Sequence, residues 1–323
     1  MSALLEVEEL SVWFDLPRGG VLHAVQGVSF TLDRGDRLGL VGESGSGKST
    51  TVLGLLGLLP PNATLSGRVL LDGVDILAKG EDSVRPHRWV DLAIVFQGAM
   101  NALNPVQSVS AQIEEALELH GLATGRQARS RVGELLESVG IPPERGNRFP
   151  HEFSGGMRQR AAIAMALACN PSVLVADEPT TALDVMVQAQ ILDLLDTLCR
   201  DFGLALLLVT HDLPVVAQLC DRAAVMYAGE IVERGSVDEL YHDPRHPYTR
   251  LLFAATPDLY GESTPVSIPG SPPRLDRPLQ GCPFQSRCDR AFDRCSAERP
   301  LLRELAGGRA AACHLNDVSA EVA

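Results

Sequence analysis

The chain has 323 residues, of which 45% are hydrophobic and 21% charged; that is length for roughly two domains and enough apolar content to fill a sizeable core, unlike a disordered acidic tail. A net charge of −13 argues against a general nucleic-acid binder, whose surface is basic, and 5% aromatics argue against stacking platforms for single strands. No apolar run approaches the ~20 residues of a bilayer-spanning helix; the longest, 52–59 and 161–169, read as buried helices. The opening MSALLEVEEL is acidic and alternating, unlike a secretory leader. The expectation is a cytoplasmic protein that meets a membrane only through partners.

In chain order, 6–14 and 25–32 read as strands, and 37–41 (RLGLV) as a short aliphatic strand that runs into a glycine-rich loop. An apolar helix over 49–59 is stopped by Pro60-Pro61. Strands at 67–71 and 92–96 follow. From 109 to 140 the period becomes helical, with Ile113, Leu117, Val132, Leu135, Leu136 and Val139 on the apolar face. A helix over about 157–168, a strand 173–176, a helix 185–202 and a strand 204–210 complete an alternation that implies a mostly parallel sheet with helices on both faces. Beyond about 240 the segments 242–247 and 264–278 and Pro283 are Pro-rich, which reads as an extension and not a continuation of the sheet.

Gly42-Glu43-Ser44-Gly45-Ser46-Gly47-Lys48-Ser49 matches G-x-x-x-x-G-K-[ST] between a strand and a helix. Glycines let backbone N–H groups converge on phosphate oxygens, the helix start adds its positive end, Lys48 reaches the outer phosphates and Ser49 ligates Mg²⁺. This loop, with Thr50 after it, is the expected ATP site. The strand 173–176 ends in Asp177 and Glu178. Asp177 suits a water-mediated Mg²⁺ contact, and Glu178 suits the general base that polarises the attacking water. His211 ends the strand 204–210, where it could sense the γ-phosphate or hold the water, or be structural.

With these motifs in this order, residues 4–240 resemble the nucleotide-binding subunit of an ATP-binding-cassette (ABC) transporter. The resemblance implies that Phe14 lies against the adenine. It makes Gln97, in Val95-Phe96-Gln97, a Q-loop residue that contacts Mg²⁺ and faces the membrane subunits. Residues 153–157 (FSGGM) are similar to the signature LSGGQ, with Phe153 and Met157 departing from it; 182–184 would be the D-loop and His211 the switch histidine. Gly98-Ala99 stands where relatives often carry Asp-Pro. Ser154, Gly155 and Gly156 at a helix start form a second phosphate-binding device. Its distance from the first suggests use in trans, each ATP held between Lys48 of one subunit and Ser154 of another. The implied fold is a P-loop (RecA-like) α/β ABC nucleotide-binding domain over 1–240, with an antiparallel edge sheet and a helical subdomain over about 98–160. A small Cys-containing extension follows over 241–323.

The stretches 100–105 (MNALNP), 154–160 (SGGMRQR) and 242–249 (HDPRHPYT) look like the dipeptide/oligopeptide branch of that family. The branch implies an ATP-hydrolysing importer subunit that energises uptake of di- and oligopeptides, and also contains importers of nickel, glutathione and sugars. An exporter, or a soluble ABC ATPase of DNA repair or translation, fits the single cassette and the charge less well. The implied partners are a second, different ABC ATPase, two transmembrane permease subunits and an extracytoplasmic binding protein, with no nucleic acid. The implied location is the cytoplasmic face of the plasma (inner) membrane. Cys169, Cys199 and Cys220 read as ordinary buried thiols. Cys282, Cys288, Cys295 and Cys313 follow C-x5-C-x6-C-x17-C in the last 42 residues. Four thiolates suit a [4Fe–4S] cluster or a Cys₄ zinc site, and the flanking sequence resembles the extension in which some peptide-permease ATPases hold a [4Fe–4S] cluster. Free thiols or disulfides are the remaining reading.

Overall fold

The computed structural model describes residues 3–17, 19–98, 102–181, 183–255, 267–277 and 279–320. Ala99, Met100 and Asn101 of the expected Q-loop region, Ala182 of the D-loop, and 264–266 and Pro278 of the Pro-rich tail lie outside these residues. Strands β1 (Leu5–Asp15), β2 (Val21–Leu32) and β3 (Arg37–Val41) precede helix α1 (Lys48–Leu55). Then come β4 (Ala63–Leu71), β5 (Val74–Asp75), α2 (Glu81–Val84), β6 (Leu92–Val95), α3 (Val109–Leu119), α4 (Gly125–Ser138) and α5 (Gly155–Ala166). Next are β7 (Val173–Asp177), α6 (Val185–Phe202), β8 (Ala205–Thr210), α7 (Leu213–Leu219), β9 (Arg222–Tyr227) and β10 (Glu230–Ser236). The last are α8 (Val237–His242), α9 (Pro247–Ala254), α10 (Asp293–Ala297), β11 (Arg303–Glu304) and β12 (Ala310–Ala311).

The chain divides into two compact units, 1–31 with 37–75 and 209–323, and 32–36 with 76–208. In the first, an antiparallel sheet runs β2-β1-β4-β5, the expected edge sheet near the N-terminus. Alternation along β1 buries Leu5, Val7, Leu10 and Val12. Against them packs α1, whose Gly54 would bring a Cβ within 3.5 Å of Leu10 and Val12. Helix α1 ends earlier than the sequence suggests. Gly57 adopts φ +61 just past the helix, so a left-handed residue, and not Pro60-Pro61, stops it.

The same unit holds the strand order β11-β12-β10-β9-β3, with β3 and β9 parallel and the rest antiparallel. Here the extension does continue a sheet: Ala311 and Ala310 pair with Glu233 and Arg234 of β10. Pro-rich chain brought them there, which composition alone reads as a break.

In the second unit β6 and β7 pair in parallel, Leu92 opposite Val173 through Val95 opposite Ala176. All of β7 is buried, and so is β8, whose last two residues, Val209 and Thr210, belong to the first unit. The helical insert forms as its period requires: Ile113, Leu117, Val132, Leu135, Leu136 and Val139 are all buried. Helix α6 buries Ile191, Leu192, Leu195, Leu198 and Cys199 along one stripe, is N-capped by Asp184 and ends on a left-handed Gly203. Among the described residues no helix is long and apolar enough to cross a membrane.

Candidate active site

In the first unit, β3 delivers the chain into the loop at Gly42. A Cβ there would lie 2.2 Å from the Met226 carbonyl, and one at Gly47 would lie 2.5 Å from that of Ala24. Both glycines are also at positive φ, +152 and +106. No other residue fits, because the loop must turn while touching neighbouring backbone. Gly47 caps α1 with no side-chain hydrogen bond, so the first N–H groups of the helix keep their positive end toward the loop. Ser44, Gly45 and Ser49 are exposed, Thr50 is half-buried and Ser46 is buried. The loop is tied to the turn between β9 and β10, where Gly229 N–H donates to the Ser46 carbonyl at 2.9 Å.

Lys48 is buried, and its Nζ donates to the carbonyls of Gly42 (2.7 Å) and Glu43 (3.0 Å) and to Ser46 Oγ (3.4 Å). The loop's own oxygens therefore aim the ammonium. Phe14 is half-buried near the end of β1, opposite Ala63. His211 is exposed directly after β8, and the next residue, Asp212, donates its N–H to Thr210 Oγ1 at 3.0 Å.

In the second unit, Asp177 is the buried last residue of β7. Glu178 follows in the left-handed region, φ +47, a conformation that costs a non-glycine residue about 1–3 kcal/mol and clusters at functional sites. Its Oε2 accepts from Gln97 Nε2 at 2.6 Å and from Thr181 Oγ1 at 2.9 Å. The expected base is thus gripped by two donors. Gln97, expected at the metal, here holds the base. Thr181 carried no signal in the sequence.

Ser154 is the N-cap of α5, its Oγ accepting from Met157 N–H at 3.3 Å. Gly155 opens the helix. Gly156 leaves space for a neighbour, since a Cβ would lie 2.7 Å from Val187 Cγ1 on α6. Phe153, directly before Ser154, is buried.

Ser49 in the first unit and Asp177 in the second each carry an oxygen of the hard kind that Mg²⁺ takes. The cysteines fit less simply. Cys282, Cys288, Cys295 and Cys313 do converge, lining one cavity of about 10 Å³. Among the described residues, however, no group of three or more His, Cys, Asp or Glu is placed to hold a metal ion. Among the described residues the cysteines form no disulfide. Burial pushes the Cys282 and Cys313 thiols up to about 11, and Cys288 upward too, so they pack as neutral thiols. The space between them holds about one water molecule, so a four-iron cluster would require the sulfurs to spread. His314 also lines the cavity, but its ring nitrogens face Asp317 Oδ2 (3.3 Å) and the Glu298 carbonyl (3.0 Å). Cys169, Cys199 and Cys220 are buried as expected.

Residues 25–181 match the model of the ABC transporter family, and 232–295 match that of the oligopeptide/dipeptide transporter C-terminal region. The oligopeptide transport ATP-binding protein OppD of Bacillus subtilis is 49% identical over 90% of this chain and 83% of its own length. OppD of Escherichia coli is 46% identical over 96% of this chain and 93% of its own. A dimeric post-hydrolysis structure of the ATP-binding cassette MJ0796 bound to ADP and Pi matches with a TM-score of 0.64 at 28% identity, over 72% of this chain and 98% of that one. Fold and loop together define an ATP-binding cassette. The chain belongs to the family of oligopeptide and dipeptide ABC transporter ATP-binding proteins.

Proposed function

We propose that this chain is the ATP-hydrolysing subunit of an ABC importer and energises uptake of di- and oligopeptides across the plasma membrane. The observation that carries the reading is the presence, in one chain, of a P-loop whose lysine is already aimed and a C-terminal region of the oligopeptide/dipeptide type. In this reading 1–240 is the nucleotide-binding domain, with a helical subdomain over about 98–160, and 241–323 is the extension. Gly42–Thr50 cradle the phosphates and Phe14 lies against the adenine. Ser49, Gln97 and Asp177 serve Mg²⁺, which when bound neutralises charge on the phosphates. Glu178 takes the proton of the attacking water while the water oxygen bonds to the γ-phosphorus and the bond to the ADP oxygen breaks. Gln97 and Thr181 keep that carboxylate in place, and His211 attends the γ-phosphate.

Ser154, Gly155 and Gly156 serve the ATP on a second, different ATPase subunit. Two permease subunits hold the pair at the cytoplasmic face, and an extracytoplasmic binding protein supplies the peptide. For Cys282, Cys288, Cys295 and Cys313 the reading is a [4Fe–4S] centre with zinc as the alternative. Their convergence on one cavity supports it and their present spacing does not; iron, sulfide and zinc content of anaerobically purified protein decides it.

The test of function is reconstitution with two permease subunits, a second ATPase subunit and an extracytoplasmic binding protein of the peptide-transport type. ATP-dependent uptake of labelled tri- to pentapeptides, abolished by Glu178→Gln, is the expected result. Uptake of nickel, glutathione or a sugar with no peptide uptake would overturn the peptide assignment. Absence of ATP hydrolysis in the assembled complex would overturn the ATPase assignment.

A further inference from the structure

The P-loop is held from outside by the extension. Glu43, the second residue of the loop, donates its N–H to Tyr248 Oη at 2.9 Å. Its carboxylate is gripped on both oxygens by Arg287, at 2.6 Å and 2.9 Å. Arg287 is itself almost wholly enclosed, its side chain 3% exposed. Its Nε donates to the Pro269 carbonyl at 2.8 Å and one terminal nitrogen to Tyr227 Oη at 3.3 Å. The guanidinium also lies over the rings of Tyr227 and Phe284, 5.7 Å and 5.8 Å from their centroids. Tyr227, Tyr248 and Phe284 pack on one another with centroids 4.6–5.3 Å apart. Such a fork, with all three nitrogens engaged and aromatic walls, has one orientation.

The chemistry of the loop gives this contact a consequence. A P-loop must accept a polyanion, and a carboxylate on its second residue opposes that. Glu43 also supplies one of the carbonyls that aim Lys48. Arg287 cancels the opposing charge and fixes the residue that aims the lysine. We propose that Arg287 is a positioning residue of the ATP site, through which the C-terminal extension sets the affinity of the P-loop for nucleotide. The proposal rests on the reading of Gly42–Thr50 as the ATP site. Arg287 ends the short turn Gln285–Arg287 and directly precedes Cys288, so the fold of the cysteine segment decides where the guanidinium stands.

The experiment uses the full chain, with Mg·ATP binding measured by equilibrium titration and hydrolysis by steady-state phosphate release in the assembled complex. Arg287→Met should raise Kd and KM for ATP about tenfold, the effect of one unbalanced charge near a partly solvated site, with kcat within about twofold. Adding Glu43→Gln should restore Kd to within about threefold, because it removes the charge that Arg287 offsets. Arg287→Lys, which keeps charge but loses the fork, should fall between. Unchanged Kd in Arg287→Met, or a double variant as weak as the single one, overturns the proposal; the second result makes Arg287 a fold anchor only. Should Arg287→Met not fold, Arg287→Lys decides: a Kd raised more than about twofold but less than about tenfold is expected, and an unchanged Kd overturns the proposal. Wild-type protein that does not bind ATP would instead overturn the ATP-site reading beneath it.

Discussion

Thr181→Val should lower kcat for ATP hydrolysis about tenfold and leave KM for ATP within about twofold. Glu178 Oε2 accepts from Gln97 Nε2 at 2.6 Å and Thr181 Oγ1 at 2.9 Å, and valine keeps the shape of threonine without the donor. A hydrogen bond to an ionised carboxylate is worth about 1.5–3 kcal/mol. Thr181 and Gln97 are both exposed, so water competes for the vacated position and the lower end applies, about 1.5 kcal/mol or roughly a factor of ten in rate. The turn itself should survive, because Thr181 N–H donates to the Glu178 carbonyl at 3.2 Å through the backbone. Gln97→Leu removes the Gln97 donor as well. The double variant should approach the ~10²–10⁴-fold loss typical of a missing general base. Single-turnover phosphate release in the assembled complex separates chemistry from product release. Wild-type kcat in Thr181→Val, or a raised KM with unchanged kcat, would refute the idea that these donors hold the base.

Gly156→Ala should destabilise the protein by about 1–3 kcal/mol through overpacking, since its Cβ would lie 2.7 Å from Val187 Cγ1. Val187→Ala should recover part of that loss in thermal unfolding, and an uncorrected loss would mean that the glycine serves something other than helix packing. His246 is buried, and its Nδ1 accepts the Tyr248 N–H at 3.0 Å; burial lowers its pKa from 6.5 to about 3. The unfolded chain therefore takes up this proton first. The group's contribution is intact above about pH 6.5 and falls by about 1.4 kcal/mol per unit as pH drops toward 3. Glu233, raised by burial, works in the opposite sense. The contribution of His246 is thus read as the difference in acid slope between wild type and His246→Asn in urea unfolding, and equal slopes would contradict it.

What the sequence determined alone is what lies close along the chain. The P-loop is a contiguous octapeptide whose glycines, lysine and final serine are the residue types that serve a phosphate directly. Helix α6 was readable because its apolar stripe over Val185–Phe202 is bracketed by Asp184 and Gly203, whose capping roles are local. The helical insert was readable because its apolar period repeats over some thirty residues, and β7 because four consecutive apolar residues, 173–176, stop at the paired acids Asp177 and Glu178. Other features needed the closed chain. The end of α1 turned on the backbone angle of one glycine, for which two prolines further on were a misleading substitute. The strand β12 has only two residues, too few to show a period, and becomes a strand only because β10 offers it a free edge. Gln97 meets Glu178 across 81 positions, and Arg287 meets Glu43 across 244. Residue type makes each of these pairs chemically possible, but many carboxylates and donors in the chain satisfy that condition. Packing of the strands and aromatic rings around them selects the partner, because a buried or gripped charge is stable only where the rest of its hydrogen bonds are already supplied.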